Sequence, residues 1–103
     1  QLDAISNVLK DISQKIPQDI NWVLRVDGHT DKTPLSQNSI FKDNWELSQA
    51  RSLSVVKYMI NVHDINPKRL SAAGFGEHQP ISFSNSNEAL AKNRRIEFKL
   101  TER

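Results

Sequence analysis

Two short segments carry the side chains that are best suited to hold a small charged ligand. The first is Gly28-His29-Thr30-Asp31, which follows a run of apolar residues. In the second, Asn44, Ser48 and Arg51 stand at i, i+4 and i+7, so they share one face of a helix. A carboxylate opposite a guanidinium suits a zwitterion, with the ligand's ammonium on Asp31 and its carboxylate on Arg51. Backbone N–H groups at the start of that helix would add donors for the carboxylate.

The same spacing is compatible with a simpler arrangement. Asp31 and Arg51 have opposite charges, and surface ion pairs between such residues are common and weak. The residues alone therefore leave two alternatives open, a ligand clamp and an ordinary ion pair between the two side chains.

A metal-dependent hydrolase is a third alternative, because His29 and Asp31 stand two residues apart, a spacing that metal sites sometimes use. A site needs three or four convergent ligands, and no motif places a third, so we expect no metal. The chain has no Cys and no nucleophile or zinc-helix motif. The lone Gly-x-Gly at Gly74 to Gly76 lacks the rest of a dinucleotide fingerprint. We therefore predict a non-catalytic protein without a cofactor.

Composition limits the function further. At 103 residues the chain is a single domain, 1–103, with 37% hydrophobic and 25% charged residues. A formal charge of +2 is too small to favour nucleic acid, which needs a clustered basic face. No apolar run approaches the ~18 residues of a membrane span. Because the chain begins at Gln1 in an amphipathic segment, we expect it to be a domain of a longer protein whose targeting segment lies upstream.

Hydrophobic periodicity predicts an α+β fold. Leu2, Ile5, Leu9, Ile12 and Ile16 form one helical stripe, which Pro17 ends. The expected elements are a helix over 2–16, a strand over 22–26, a helix from Asp43 to 62–64, a strand over 69–73, a short helix over 88–92 and a strand over 95–100. The core stripe of the second long helix is expected at Leu53, Val56 and Ile60, supported by Val55 and Met59. Helices between strands favour a two-layer α/β sandwich with helices on one sheet face.

The motifs resemble a known family. Gly28-His29-Thr30-Asp31 followed by Asn44-x-x-Leu47-Ser48-x-x-Arg51 is similar to the paired signature of the OmpA/MotB C-terminal (OmpA-like) domain family. Arg69-Leu70, Gly74-Phe75-Gly76, Pro80 and Asn93-Arg94-Arg95-Ile96-Glu97 match later parts of the family pattern in the same order. The stretch 41–48 resembles MotB-like members, and 94–103 is similar to membrane-anchored peptidoglycan-binding proteins of alphaproteobacteria.

This resemblance implies a βαβαβ-type fold that binds uncross-linked peptidoglycan stems through meso-diaminopimelate. Asp31 and Arg51 would hold the amino and carboxylate groups of that residue, and Thr30, Asn44 and Leu47 would line the pocket. Arg94 has the strand parity of Ile96 and Phe98, so we expect its side chain on the helix side as a supporting cation. The family usually has a strand before the first helix, and we expect that strand to be missing from this chain, which would leave an exposed sheet edge.

The resemblance also implies a cellular role. The domain would anchor a membrane protein to the cell wall, in the periplasm of a Gram-negative bacterium, with the full-length protein held in the inner or outer membrane. The expected partner is the peptidoglycan peptide stem, with a homodimer as a further option. A narrower alternative is the wall-anchoring domain of a MotB-type flagellar stator subunit, which requires an upstream membrane helix with an ionisable residue.

Overall fold

The computed structural model describes residues 2–103 as a three-stranded sheet with helices packed on one face. The order of the elements is the predicted one. The helices are α1 (Leu2–Lys15), α2 (Asn44–His63) and α3 (Asn87–Asn93), and the strands are β1 (Trp22–His29), β2 (Leu70–Gly74) and β3 (Arg95–Glu102), with a 3-10 turn at Pro67–Arg69. No helix within 2–103 combines the length and the apolar character that crossing a membrane requires.

β1 is the central strand, in the order β2-β1-β3. It pairs in parallel with β2, with Gly28 opposite Gly74, and antiparallel with β3, with Val26 opposite Phe98. Trp22, Leu24 and the other even-numbered residues of β1 face the helices, as the alternation in the sequence predicts. The first long helix and the sheet therefore form the expected α+β sandwich. A strand preceding α1 stays a prediction.

The apolar core lies at one end of the molecule, where α1 crosses the sheet beside the second half of α2. Its buried members are Leu9, Trp22, Leu24, Met59 and Ile65, with Ile5, Ile16, Val55, Leu70 and Phe98 partly buried around them. Asp3 accepts hydrogen bonds from Tyr58 and His63 at 2.6 Å each, which connects the start of α1 to the end of α2. Arg69 stacks over the Trp22 ring at 4.7 Å and closes this end of the core.

α2 begins at the predicted capping box. The Asp43 carboxylate accepts the N–H of Glu46 at 2.9 Å, and the Glu46 carboxylate accepts the N–H of Lys42 at 3.0 Å. The helix ends at His63, where Asp64 adopts a left-handed conformation with φ 56°.

The buried face of α2 agrees with the predicted one at Val56 and Met59, which are both buried. It differs at Leu53, which is 40% exposed, and it includes the fully buried Ser48 and Ser52. The serines face the sheet because glycines lie opposite them. A Cβ added to Gly28 would lie 2.2 Å from the Ser48 carbonyl oxygen, and one on Gly74 would lie 2.6 Å from the Gln49 nitrogen. The first half of α2 therefore rests almost directly on the strand backbones, and small polar side chains fill the remaining space.

The opposite face of the sheet carries alternating charges. Arg25 pairs with Asp27 through two hydrogen bonds of 2.7 and 2.9 Å, and Arg95 pairs with Glu97 at 2.5 Å. His29 lies between these pairs, 5% exposed and stacked on the Phe75 ring at 5.1 Å. His29 was expected at the start of the loop, but pairing with Arg95 extends β1 to it.

Neither ring nitrogen of His29 has a hydrogen-bond partner among the described residues. Burial lowers the pKa of His29, and the positive charge of Arg95 lowers it further, against the opposing effect of Glu97 and Asp27. The ring is therefore neutral in the folded protein at neutral pH.

Substitution of Gly28 tests the close approach of α2 to the sheet. We expect Gly28→Ala to lower the free energy of unfolding by about 1–3 kcal/mol or more, since the added methyl group must displace helix backbone. Urea denaturation measures the change. Ser71→Ala, at a half-buried position of the neighbouring strand, is the control and should have little effect. Equal stability of wild type and Gly28→Ala would contradict this packing.

The buried His29 predicts a pH dependence of stability. Because its pKa is lower in the folded than in the unfolded chain, the unfolded chain binds the proton more strongly, and stability falls as the pH decreases below the unfolded value. His29→Phe should reduce the stability loss between about pH 7.5 and pH 5.5, a range that brackets the ordinary histidine pKa of about 6.5. Denaturant titrations at both pH values measure it, with His78→Gln as control for the loss of a surface histidine. An unchanged pH dependence in His29→Phe would refute it.

Candidate functional site

The end of the sheet opposite the apolar core is built around the side chain of Asn44, the first residue of α2. Its amide nitrogen lies 3.3 Å from the carbonyl oxygens of both Asp31 and Thr33 and 3.1 Å from a carboxylate oxygen of Glu77. Asn44 is 7% exposed. One buried amide thus connects the start of α2 to the loops that leave β1 and β2, and it cannot be replaced without losing several bonds at once.

The loop that leaves β1 is fixed by a continuation of strand pairing. Thr30 donates its N–H to the Gly76 carbonyl at 2.9 Å, and Phe75 donates to the Gly28 carbonyl at 3.0 Å. The Gly76 N–H in turn donates to the Ser48 hydroxyl at 2.9 Å. The Thr30 hydroxyl donates to the Asp31 carbonyl at 2.8 Å, so Thr30 shapes the backbone at Asp31.

Asp31 is the buried carboxylate of this end, 8% exposed. One oxygen accepts the N–H of Thr33 at 2.8 Å and the other accepts Arg94 at 2.6 Å. Burial raises the pKa of Asp31, but the hydrogen bonds from Arg94 and Thr33 outweigh it and leave the pKa below its usual value. Asp31 is therefore ionised at neutral pH and able to hold a cation.

Arg94 lies at the junction of α3 and β3, next to Asn93. The Asn93 side chain accepts the N–H groups of Ile81 and Ser82 at 2.8 and 3.1 Å and donates to the Ser82 carbonyl at 2.9 Å. This buried amide fixes the loop before α3 and thereby the position from which Arg94 reaches Asp31. Arg94 thus lies beside Asp31, and its role toward a ligand stays a prediction.

Arg51 lies on the flank of α2 that faces away from β2. Gln49, two residues earlier and so about 200° away around the helix axis, bonds the Ala72 carbonyl of β2 at 3.3 Å. By the same periodicity Asn44 and Leu47 share the flank of Arg51. Leu47 is half-buried and Arg51 is exposed. Among residues 2–103 Arg51 forms no ion pair, and Asp31 pairs with Arg94 instead. The alternative in which Asp31 and Arg51 simply pair with each other is therefore wrong.

Two clefts open beside this cluster and share Glu77 as a common wall. The larger, about 550 Å³, is lined by Asn44, Glu77 and the loop at 34–43. The smaller, about 130 Å³, is lined by Lys32, Glu77, Pro80, Ser82, Phe83, Ser84 and Asn93. Asp31 and Arg51 do not belong to the lining of either cleft. The N–H of Glu46 is already taken by Asp43, which leaves fewer helix donors for a ligand than the sequence suggested.

Among the described residues, one group of three potential metal ligands has its ligand atoms within 4.8 Å of one another. It consists of Asp27, His29 and Glu97 on the opposite sheet face, and Asp31 is not part of it. Both carboxylates there are paired, with Arg25 and Arg95. The guanidinium groups of these two arginines lie within hydrogen-bond distance of the carboxylates, and their positive charge opposes the binding of a divalent cation.

Glu77 and Asn93 were missed as members of the site. Glu77 follows Gly74-Phe75-Gly76 directly. Its position just after the end of a strand could have indicated a residue of the site. Asn93 belongs to the Asn93-Arg94-Arg95 motif, but nothing in its spacing reveals that its amide holds a loop eleven and twelve residues earlier.

The chain resembles one known family and several curated proteins. The model of the OmpA family matches residues 1–94. The chain is 38% identical over 72 residues to motility protein B of Bacillus subtilis, covering 70% of this chain and 27% of that protein. It is 35% identical over 85 residues to outer membrane protein Omp38 of Acinetobacter baumannii, covering 82% of this chain and 22% of the relative. The chain thus spans about a quarter of the length of these two curated relatives.

Solved structures share its architecture. The C-terminal domain of MotB from Helicobacter pylori superposes with a TM-score of 0.80 at 33% identity, over 99% of this chain and 74% of that one. The cell wall anchor of the type VI secretion system from Pseudomonas aeruginosa superposes with a TM-score of 0.75 at 26% identity, over 98% of this chain and 63% of that one. Sequence match, element order and superposition agree, and the chain belongs to the OmpA family.

Proposed function

We propose that this chain is a non-catalytic domain that binds peptidoglycan and anchors a larger protein to the cell wall. Relatives support this role by their descriptions, which include a cell wall anchor and peptidoglycan-associated lipoproteins of Pseudomonas putida and Pseudomonas aeruginosa. The ligand we propose is the peptide stem, recognised at the free end of its meso-diaminopimelate, where one carbon carries an ammonium and a carboxylate.

The observation that carries the proposal is the combination of a buried, ionised Asp31 with an exposed Arg51 on the adjoining flank of α2. Asp31 provides a fixed negative charge for the ammonium. The Thr33 N–H holds its carboxylate, and the Asn44 amide holds its backbone carbonyl. Arg51 provides a planar donor for the carboxylate. In this assignment Thr30 and Asn44 hold the pocket backbone, Leu47 contributes apolar surface on the same flank, and Arg94 supplies a second cation.

The proposed location is the periplasm, with the complete protein anchored in a membrane by a segment outside this chain. The relatives include both a motility protein and outer membrane proteins, so the chain alone is compatible with a passive tether. Similarity to MotB structures favours a second candidate, the wall-anchoring domain of a flagellar stator subunit. An upstream membrane helix with an ionisable residue in the complete gene product would distinguish the stator from the tether.

Titration calorimetry with the tripeptide L-Ala-γ-D-Glu-meso-diaminopimelate tests the proposed clamp. We expect Asp31→Asn and Arg51→Gln each to weaken binding by about 10- to 100-fold, the effect of losing one charge-assisted hydrogen bond. The reason is that each variant removes one charged partner of the zwitterion and leaves an uncharged polar side chain in its place.

Lys57→Gln is the matched control, since it removes an exposed charge from α2 further along the helix. It should bind like wild type, and thermal melting should show that all three variants are folded. Wild-type affinity in both Asp31→Asn and Arg51→Gln would reject the site assignment. No binding of the tripeptide by wild type would reject the proposed ligand.

A further inference from the structure

The Asp31 carboxylate already has a counter-ion inside the protein. Arg94 donates to it at 2.6 Å, and the Thr33 N–H occupies the other oxygen. The two partners differ in exposure, since the Asp31 side chain is 10% exposed and the Arg94 side chain 47%. The backbone of Arg94 is held, because its N–H caps α3 on the Leu90 carbonyl at 3.3 Å. Only the long side chain of Arg94 is therefore free to leave Asp31.

An ammonium that approaches Asp31 meets this guanidinium first. The Asp31 side chain is 10% exposed and bonded through both oxygens, so the ammonium must displace Arg94 or share Asp31 with it. When Arg94 is displaced, its guanidinium moves into water and the Asp31–Arg94 ion pair is lost. A ligand carboxylate within reach would replace that ion pair with a new one.

We propose that Arg94 is an exchangeable internal counter-ion that makes the site select stems ending in diaminopimelate over stems ending in lysine. This inference rests on the proposed function. The side-chain end of diaminopimelate carries an ammonium for Asp31 and a carboxylate whose two oxygens can accept Arg51 and the displaced Arg94. The side chain of lysine carries only the ammonium, so its binding breaks the Asp31–Arg94 pair and replaces nothing.

The two arginines then have different effects, and this difference identifies Arg94. Arg51 has no internal partner among the described residues, so it favours the carboxylate-bearing ligand and is indifferent to lysine. Arg94 competes with every ligand ammonium for Asp31. Once displaced, it can form a new ion pair only with a ligand whose side chain also carries a carboxylate. Removing Arg94 should therefore improve the binding of lysine, whereas removing Arg51 should not.

The experiment compares two stem tripeptides, one ending in meso-diaminopimelate and one in L-lysine, by calorimetry with wild type, Arg94→Gln, Arg94→Lys and Arg51→Gln. In Arg94→Gln we expect lysine-stem affinity to rise about fivefold, as for loss of a partly exposed ion pair, and diaminopimelate-stem affinity to fall about tenfold. Arg94→Lys should restore part of the selectivity, because it returns the positive charge without the planar fork. Arg51→Gln should weaken only the diaminopimelate stem.

Lys92→Gln, which removes an exposed charge from α3, is the matched control and should leave both affinities unchanged. If Arg94→Gln changes both affinities by the same factor, or lowers that of the lysine stem, the counter-ion exchange is wrong while the proposed function stands. If wild type binds neither tripeptide, the proposed function fails and the inference fails with it. Thermal melting of Arg94→Gln separates a loss of fold from a loss of selectivity.

Discussion

The close contact between the first half of α2 and the backbones of β1 and β2 is the constraint on which the rest of the structure depends. Gly28 and Gly74 leave no room for a side chain beneath Ser48 and Gln49. Because the helix axis is fixed at this distance, the first residue of α2 reaches both loops at the end of the sheet. The hydrogen bonds from Asn44 to Asp31, Thr33 and Glu77 form only because the helix lies this close to the sheet.

The two ends of the molecule are stabilised by different interactions. At one end, apolar side chains from α1, α2 and the strands form a conventional core with Met59 at its centre. At the other end, buried amides and hydroxyls hold the backbone, and Asn44, Asn93 and Ser48 have their hydrogen bonds satisfied within the protein. Burial of polar groups is tolerated where they are paired, and it leaves a rigid polar surface for recognition.

Much of this architecture could be predicted from the sequence. Apolar periodicity indicated the helices and strands, and the capping box at Asp43 indicated the start of α2. Periodicity correctly indicated Val56 and Met59 on the buried face of α2, but it also indicated the exposed Leu53 and missed the contact that Ser48 and Ser52 make with the sheet. That contact depends on glycines in other strands, which no local pattern reveals. The partner of Asp31 was likewise undetermined, since Arg94 is 63 residues away and the spacing of the residues left an ion pair with Arg51 open.

The central position of β1 has a mechanical consequence for the proposed role as a wall anchor. The strand is bonded on both sides, to β2 from Leu24 to Gly28 and to β3 from Trp22 to His29. A pull between α1, before the strand, and Asp31, after it, is directed along the strand axis. Backbone hydrogen bonds of an antiparallel ladder lie across that axis, so they are sheared together and cannot open one after another. The shortest route for force through the chain therefore runs along its most completely bonded element.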